Sequence, residues 1–148
     1  MKNKTLASWL AVLLGPLGLH RFYLFGLGDS LGWALPIPTA LGLYGIDRVQ
    51  RHGVDDPISW ILLPLLGFTI AGCALNAIVY GLMATERWNA KFNREFDPQA
   101  KSGQTGWLTV GAVVFALLIG ATTLMASIAF SFQRYFEYQT VQSHSLGQ

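Results

Sequence analysis

Long runs without a charged residue constrain this chain more than any other feature of its sequence. Uncharged runs of 16, 17, 29 and 32 residues cover positions 5–20, 30–46, 57–85 and 102–133. A helix needs about 20 predominantly apolar residues to cross the hydrocarbon core of a bilayer, and the last two runs exceed that length. Charged residues make up 12% of the chain, against about 25% in soluble domains. The pattern excludes a soluble enzyme, a nucleic-acid-binding domain and a disordered chain.

The four uncharged runs predict an all-α, polytopic membrane protein whose four transmembrane helices form two helical hairpins. Residues 1–50 would form the first hairpin. Residues 51–137 would form the second, with a polar and partly amphipathic loop at 86–104, and residues 138–148 a polar, frayed tail. An even number of crossings places both ends of the chain on the same side of the membrane.

Prolines and one pair of aspartates mark the expected limits of these spans. Pro16 removes a backbone donor and weakens the end of the first span. Pro36 and Pro38 predict a kink or break in the second span. The third span is expected to begin at Asp56-Pro57, because a capping carboxylate followed by proline is typical of a helix N-terminus.

Small residues recur on one face of each of the last two spans. In a bilayer, helices associate through close packing of such residues, since lipid is as apolar as the helices themselves. We expect the two stripes to face each other or the first hairpin, and a dimer interface is the competing use. The stripes are Gly67, Ala71 and Ala74 on the third span, and Ala112, Ala116 and Gly120 on the fourth.

The last two spans hold polar residues but no ionisable residue deep within them. Proton relays and ion pathways normally use ionisable groups that face the bundle interior. Asn76, Thr122 and Thr123 are the polar residues that could line a path through a transporter or channel component. Asn76 also fits an ordinary hydrogen bond between helices.

Three motifs follow one another in residues 1–50. They are Lys2-Asn3-Lys4-Thr5-Leu6-Ala7, Leu13-Leu14-Gly15-Pro16-Leu17-Gly18-Leu19-His20-Arg21-Phe22-Tyr23-Leu24 and Gly42-Leu43-Tyr44-Gly45-Ile46-Asp47. Together they resemble the TM-two (two-transmembrane-helix) domain family, although Phe25 stands where that signature usually has glycine. The resemblance implies an integral membrane protein whose first two helices are joined by the His-Arg-Phe-Tyr turn, and it implies no particular biochemical activity.

The signature also has a physical interpretation of its own. His20, Arg21, Phe22 and Tyr23 would lie in a turn at the membrane boundary, where the stem of Arg21 covers apolar surface and its head reaches phosphates. Asp29 is the expected partner of Arg21. These residues either anchor and cap the turn, or Arg21 and Phe22 form a docking point for a partner protein or a lipid headgroup.

Antiparallel packing of the first two spans makes a second prediction about charged residues. The start of the first span would lie beside the end of the second, so Lys4 and Asp47 should approach each other.

The loop after the third span has a regular spacing of aromatic residues. Trp88, Phe92 and Phe96 recur every four residues, so on a helix they share one face. One interpretation is a short interfacial helix that lies on anionic headgroups. The other is a loop whose aromatic side chains pack onto the end of the bundle.

No catalytic, cofactor-binding or metal-binding residue is predicted, and no cofactor. The sequence predicts a non-catalytic scaffold or accessory protein in a membrane, with the bacterial inner (plasma) membrane as the expected location and a transporter or channel component as the alternative. The expected partners are the lipid bilayer and either a second copy or another membrane protein, and no nucleic acid. With four crossings, the ten basic residues divide evenly between the two sides, so the positive-inside rule leaves the orientation open.

Overall fold

The computed structural model describes residues 1–95 and 97–146, and every regular element in these ranges is helical. Two stretches, Ser59–Leu82 and Lys101–His144, are long and apolar enough to cross a membrane, with mean hydropathies of 2.0 and 2.3. The α-helices are α1 (Lys4–Leu14), α2 (Leu19–Phe25), α3 (Ser30–Ala34), α4 (Pro36–His52), α5 (Ser59–Leu82), α6 (Thr85–Phe92) and α7 (Trp107–Leu146), and short 3-10 turns cover Gly15–Leu17 and Lys101–Gly103.

Helices α5 and α7 pack antiparallel along most of the length of α5. Gly81 lies against Val113, and Gly67 lies against Ser127 near the other end of the contact. Between them, a methyl group added at Gly120 would lie only 2.8 Å from the Cβ of Ala74. This spacing leaves no room for a larger side chain, so the small residues set the distance between the two helices.

Helix α4 packs antiparallel on another face of α5. A methyl group at Gly45 would lie 2.6 Å from the Cβ of Leu62, which shows how closely the backbones approach. The turn between the helices is closed by Asp56, whose Oδ2 accepts hydrogen bonds from the backbone N–H of Ser59 at 3.0 Å and its hydroxyl at 2.6 Å. Arg48 Nη2 donates to the other oxygen of the same carboxylate at 2.6 Å.

Helix α1 enters the bundle beside the end of α5 and reverses about half-way along it. The Lys4 ammonium donates to the Met83 carbonyl oxygen at 2.8 Å and to the Thr105 hydroxyl at 2.6 Å. Eleven residues later Gly15 lies against Cys73, where an added methyl group would be 2.5 Å from the cysteine Cβ. At about 1.5 Å per residue, Cys73 lies about 14 Å from the end of α5.

After that reversal, α2 returns to the starting level of α1. The backbone N–H of Asn3 donates to the Tyr23 hydroxyl at 2.7 Å, and the Lys2 ammonium donates to the Leu24 carbonyl oxygen. The rings of Phe25 and Phe92 are 5.8 Å apart between centroids. Helices α1 and α2 therefore form a short hairpin that enters and leaves at the same end of the bundle.

The two ends of the bundle are thereby defined. We call the end at which α5 finishes and α7 begins the α6 end, marked by Lys4, Met83 and Thr105. The opposite end, marked by Arg48 and Asp56, is the Asp56 end. Helices α3 and α4 lead from the first to the second.

The observed path differs from the expected pair of hairpins in two places. The His-Arg-Phe-Tyr segment, expected as a turn between two crossings, is helical and belongs to α2, because the chain has already reversed at Gly15–Leu17. Helix α7 does not stop before the expected tail at residue 138 but continues to Leu146, so most of that tail is helical. The predicted break at the prolines is present, since α3 ends at Ala34 and α4 begins at Pro36.

Candidate functional site

The site is built on a close contact between the start of α2 and the first turn of α3. Gly18 has a φ of 76° and ends the 3-10 turn, with its N–H donating to the Gly15 carbonyl oxygen. A methyl group at Gly18 would overlap the carbonyl oxygen of Gly32. Gly32 is itself covered by the Phe22 ring, whose centroid lies 5.1 Å from the ring of Trp33. This contact fixes α2 against α3.

Arg21 and Asp29 form a two-bond ion pair across the connection between these helices. Arg21 Nε donates to Asp29 Oδ2 at 2.5 Å, and Nη2 donates to Oδ1 at 3.1 Å. Asp29 also accepts from the Gly32 backbone N–H at 2.8 Å and so caps α3. The hydrogen bond from Arg21 is the main reason that the pKa of the Asp29 carboxyl lies below its usual range. The predicted pairing is present, and it orders the connection.

His20 lies behind this ion pair and is completely buried. Neither of its ring nitrogens has a hydrogen-bond partner among the described residues. Its ring centroid is 6.1 Å from that of Tyr80 on α5. A buried donor or acceptor without a partner costs about 1–3 kcal/mol, so the imidazole is a weak point of the core and not the turn cap that one interpretation of the sequence expected.

Beside Arg21 there is a cavity of about 270 Å³ between α2, α3, α4 and α5. Two polar side chains, Arg21 and Asn76, meet there. The Asn76 carboxamide forms no hydrogen bond to the rest of the described chain. The other lining residues are apolar: Leu31, Ala34, Leu35 and Pro38. The cavity thus offers hydrogen-bonding groups in apolar surroundings, where they are selective for a polar partner.

Four of the other predicted polar positions lie elsewhere. Asp47 lies toward the Asp56 end, where its carboxylate pairs with Arg51 at 2.9 Å. The predicted approach of Lys4 and Asp47 is therefore wrong, because α1 reverses within the bundle and Lys4 stays at the α6 end. Thr122 and Thr123 donate to carbonyl oxygens of their own helix at 2.7 and 2.8 Å. They do not line the cavity of Asn76.

Five of the six predicted packing residues lie along the contact of α5 with α7, and the sixth, Ala112, is buried. Ala74, Ala112 and Ala116 are buried, and Gly120 lies against Ala74. An apolar groove of about 370 Å³ runs beside this contact and includes Ala71. Gly67 contacts Ser127. These residues hold the two long helices together and carry no chemistry of their own.

The aromatic face of α6 is turned into the end of the bundle. Trp88 is fully buried, and its Nε1 donates to the Lys2 carbonyl oxygen at 3.0 Å. Its ring lies 4.5 Å from that of Phe92 and 6.1 Å from that of Tyr80. This geometry favours packing onto the bundle over insertion of the aromatic face into lipid. Phe96 lies outside the described residues.

Two asparagines that the sequence analysis did not single out close the α6 segment. Asn89 Nδ2 donates to the carbonyl oxygens of Pro98 and Ala100 at 2.8 and 3.1 Å. Asn93 Oδ1 accepts from the Lys2 backbone N–H at 2.6 Å, and its Nδ2 donates to the Lys2 carbonyl oxygen at 3.0 Å. Their four-residue spacing places them on one face of α6, beside the row of Trp88 and Phe92, and this spacing is the signal that could have found them.

No group of three or more histidine, cysteine, aspartate or glutamate side chains that could hold a metal ion occurs within residues 1–95 and 97–146. Cys73 is a buried free thiol.

Comparison with protein-family models, with curated proteins and with solved structures gave no match for this chain. The resemblance of residues 1–50 to the TM-two family stays a prediction.

Proposed function

We propose that this chain is an integral membrane protein that acts by binding another membrane component, as a scaffold or accessory subunit, and not by catalysis. Helices α5 and α7 would cross the bilayer. Helices α3 and α4 together contain 22 helical residues and would make a third crossing of about 33 Å. Helices α1 and α2 would form a re-entrant hairpin covered by protein on its inner faces, which a bilayer tolerates.

The observation that carries this proposal is the separation of the polar residues at membrane depth. A transporter needs polar groups that meet along one path. Asn76 faces the cavity beside Arg21, whereas the hydroxyls of Thr122 and Thr123 are bonded to their own helix. Asn76 and Arg21 instead line one side pocket near the α6 end.

The side pocket is the docking point that we propose. Leu31, at its rim, is 57% exposed, and Arg21 keeps N–H groups beyond those bonded to Asp29. A polar side chain on a partner helix could bond to Asn76 and Arg21, and such bonds are selective because lipid offers no competing partner.

Photo-crosslinking in cells tests this docking point. A photoreactive residue at Leu31 should give one discrete protein adduct that is lost in the variant Asn76→Leu. The matched control is Leu118 on α7, which is 66% exposed and also apolar, and it should give no discrete adduct. Equal adducts at both positions, or an adduct at Leu31 that survives Asn76→Leu, would contradict the proposal.

A flux assay addresses the alternative. Vesicles containing the purified protein should show no solute or ion leak above protein-free vesicles. A leak that Asn76→Leu abolishes would instead establish a transporter or channel component.

A further inference from the structure

The path of the chain distributes the basic residues unequally between the two ends of the bundle. Because α1 and α2 enter and leave at the same end, the charged residues of both are counted with the α6 end. Three basic residues lie at the Asp56 end: Arg48, Arg51 and Arg134. The other seven of the ten lie at the α6 end, namely Lys2, Lys4, Arg21, Arg87, Lys91, Arg94 and Lys101.

The basic residues of the Asp56 end are all neutralised by carboxylates. Arg48 pairs with Asp56 at 2.6 Å, and Arg51 pairs with Asp47 at 2.9 Å. Arg134 is buried and pairs with Glu137 at 2.7 Å. This end therefore offers little positive charge to a membrane surface.

The α6 end carries more basic residues, and Glu86, Glu95 and Asp97 are exposed beside them. Arg87, Lys91, Arg94 and Lys101 are exposed, and none of them forms an ion pair with an acidic residue of the described chain. We call these four residues the basic surface. Because Trp88 is buried beneath α6, the helix is held in place with its charged side outward. Arg87 and Lys91 are thus held outward by α6, and Arg94 and Lys101 lie in the segment that follows this helix.

We infer that the α6 end faces the cytoplasm, where the basic surface lies against anionic phospholipid headgroups, and that the end of α7 lies on the opposite side. The inference rests on the proposed membrane crossings. Membrane proteins retain an excess of lysine and arginine in their short cytoplasmic loops. Anionic lipids of the cytoplasmic leaflet attract basic residues that adjoin the membrane. With four crossings, the ten basic residues divide evenly between the two sides. With α1 and α2 as a re-entrant hairpin, seven lie on one side and three on the other.

Labelling from outside the cell tests the orientation. In a Cys73→Ala background, single cysteines replace Val54, Gln99 or Ser143 of the full chain, and intact cells are treated with a membrane-impermeant maleimide. We expect labelling at positions 54 and 143 and none at position 99 until the cells are opened. Labelling of position 99 in intact cells, or protection of position 143 there, would overturn the inference.

Charge variants test whether the basic surface determines this orientation. The variant Arg87→Gln/Lys91→Gln/Arg94→Gln leaves four basic residues at the α6 end and three at the Asp56 end. The charge bias that orients the protein is then small, so position 99 should become labelled in a substantial fraction of the protein. The matched control, Glu86→Gln/Glu95→Gln, changes charge in the same segment but leaves lysine and arginine in place, and it should keep the wild-type pattern. An unchanged pattern in the triple variant would overturn the role of the basic surface.

Two further measurements separate the possible failures. Extraction of the same membranes with alkaline carbonate should leave the protein in the pellet, and release into the supernatant would refute membrane integration itself. In vesicles of phosphatidylglycerol and phosphatidylcholine, the lipids that surround the purified protein should contain a larger share of phosphatidylglycerol than the bulk bilayer. The triple variant should lose this enrichment. Equal enrichment in both proteins would contradict the assignment of anionic headgroups as the partner.

Discussion

Gly18 is the residue on which the reversal of the first helix depends most. Its φ of 76° is in the left-handed region, which costs a residue with a side chain about 1–2 kcal/mol. An alanine methyl group there would also overlap the Gly32 carbonyl oxygen. Overpacking of this kind costs about 1–3 kcal/mol. Gly18→Ala should therefore lower the free energy of unfolding by about 2–5 kcal/mol.

Equilibrium unfolding in detergent micelles measures this loss. The matched control is Gly28→Ala in the same connection, because an added methyl group at Gly28 meets no atom within 4 Å and its φ is not in the left-handed region. We expect that variant to stay within about 0.5 kcal/mol of the wild type, as surface substitutions usually do. A loss below about 1 kcal/mol for Gly18→Ala, or equal losses for both variants, would refute the reasoning.

Three other predictions concern separate parts of the bundle. Trp88→Phe removes the hydrogen bond to Lys2 and part of a fully buried ring, so unfolding in detergent should show a loss of about 1–3 kcal/mol, and an unchanged stability would contradict the burial of this side chain. The ion pair with Arg48 lowers the pKa of Asp56 below its ordinary value of 3.8, so the stabilisation is complete above that pH and is lost as the pH falls below it. Asp56→Asn should make the melting temperature fall less in acid than in the wild type, and an identical acid profile would contradict this. Cys73 is buried and should react with maleimide only after unfolding. Rapid labelling of the folded protein in detergent would contradict the position of α1 over this thiol.

Parts of the fold could be predicted because they depend on local chemistry. Pro36 and Pro38 lack the N–H groups that a continuous helix needs, so a break was expected and is present. The pairing of Arg21 with Asp29 follows from two opposite charges that flank one short connection. The small residues near Ala74 and Gly120 allow helices to approach closely, and this pattern can be read from spacing alone.

The reversal of α1 could not be predicted in the same way. An apolar run that ends in glycine and proline resembles a complete membrane crossing, and nothing in its own sequence shows that Gly15 meets Cys73 far along the chain. The predicted contact of Lys4 with Asp47 failed for the same reason, since it assumed a full crossing. The role of Asn93 also depends on the path of α1, because its partners include the backbone of Lys2, which is far away in the sequence.

A crosslink between two engineered cysteines tests the re-entrant hairpin most directly. The backbone N–H of Lys2 donates to Asn93 Oδ1 at 2.6 Å, so in a Cys73→Ala background the pair Lys2→Cys/Asn93→Cys should be joined in membranes by a short bifunctional reagent. The pair Lys2→Cys/Asp47→Cys, which two full crossings would place at the same end, should not be joined. Crosslinking of the second pair and not the first would contradict the account.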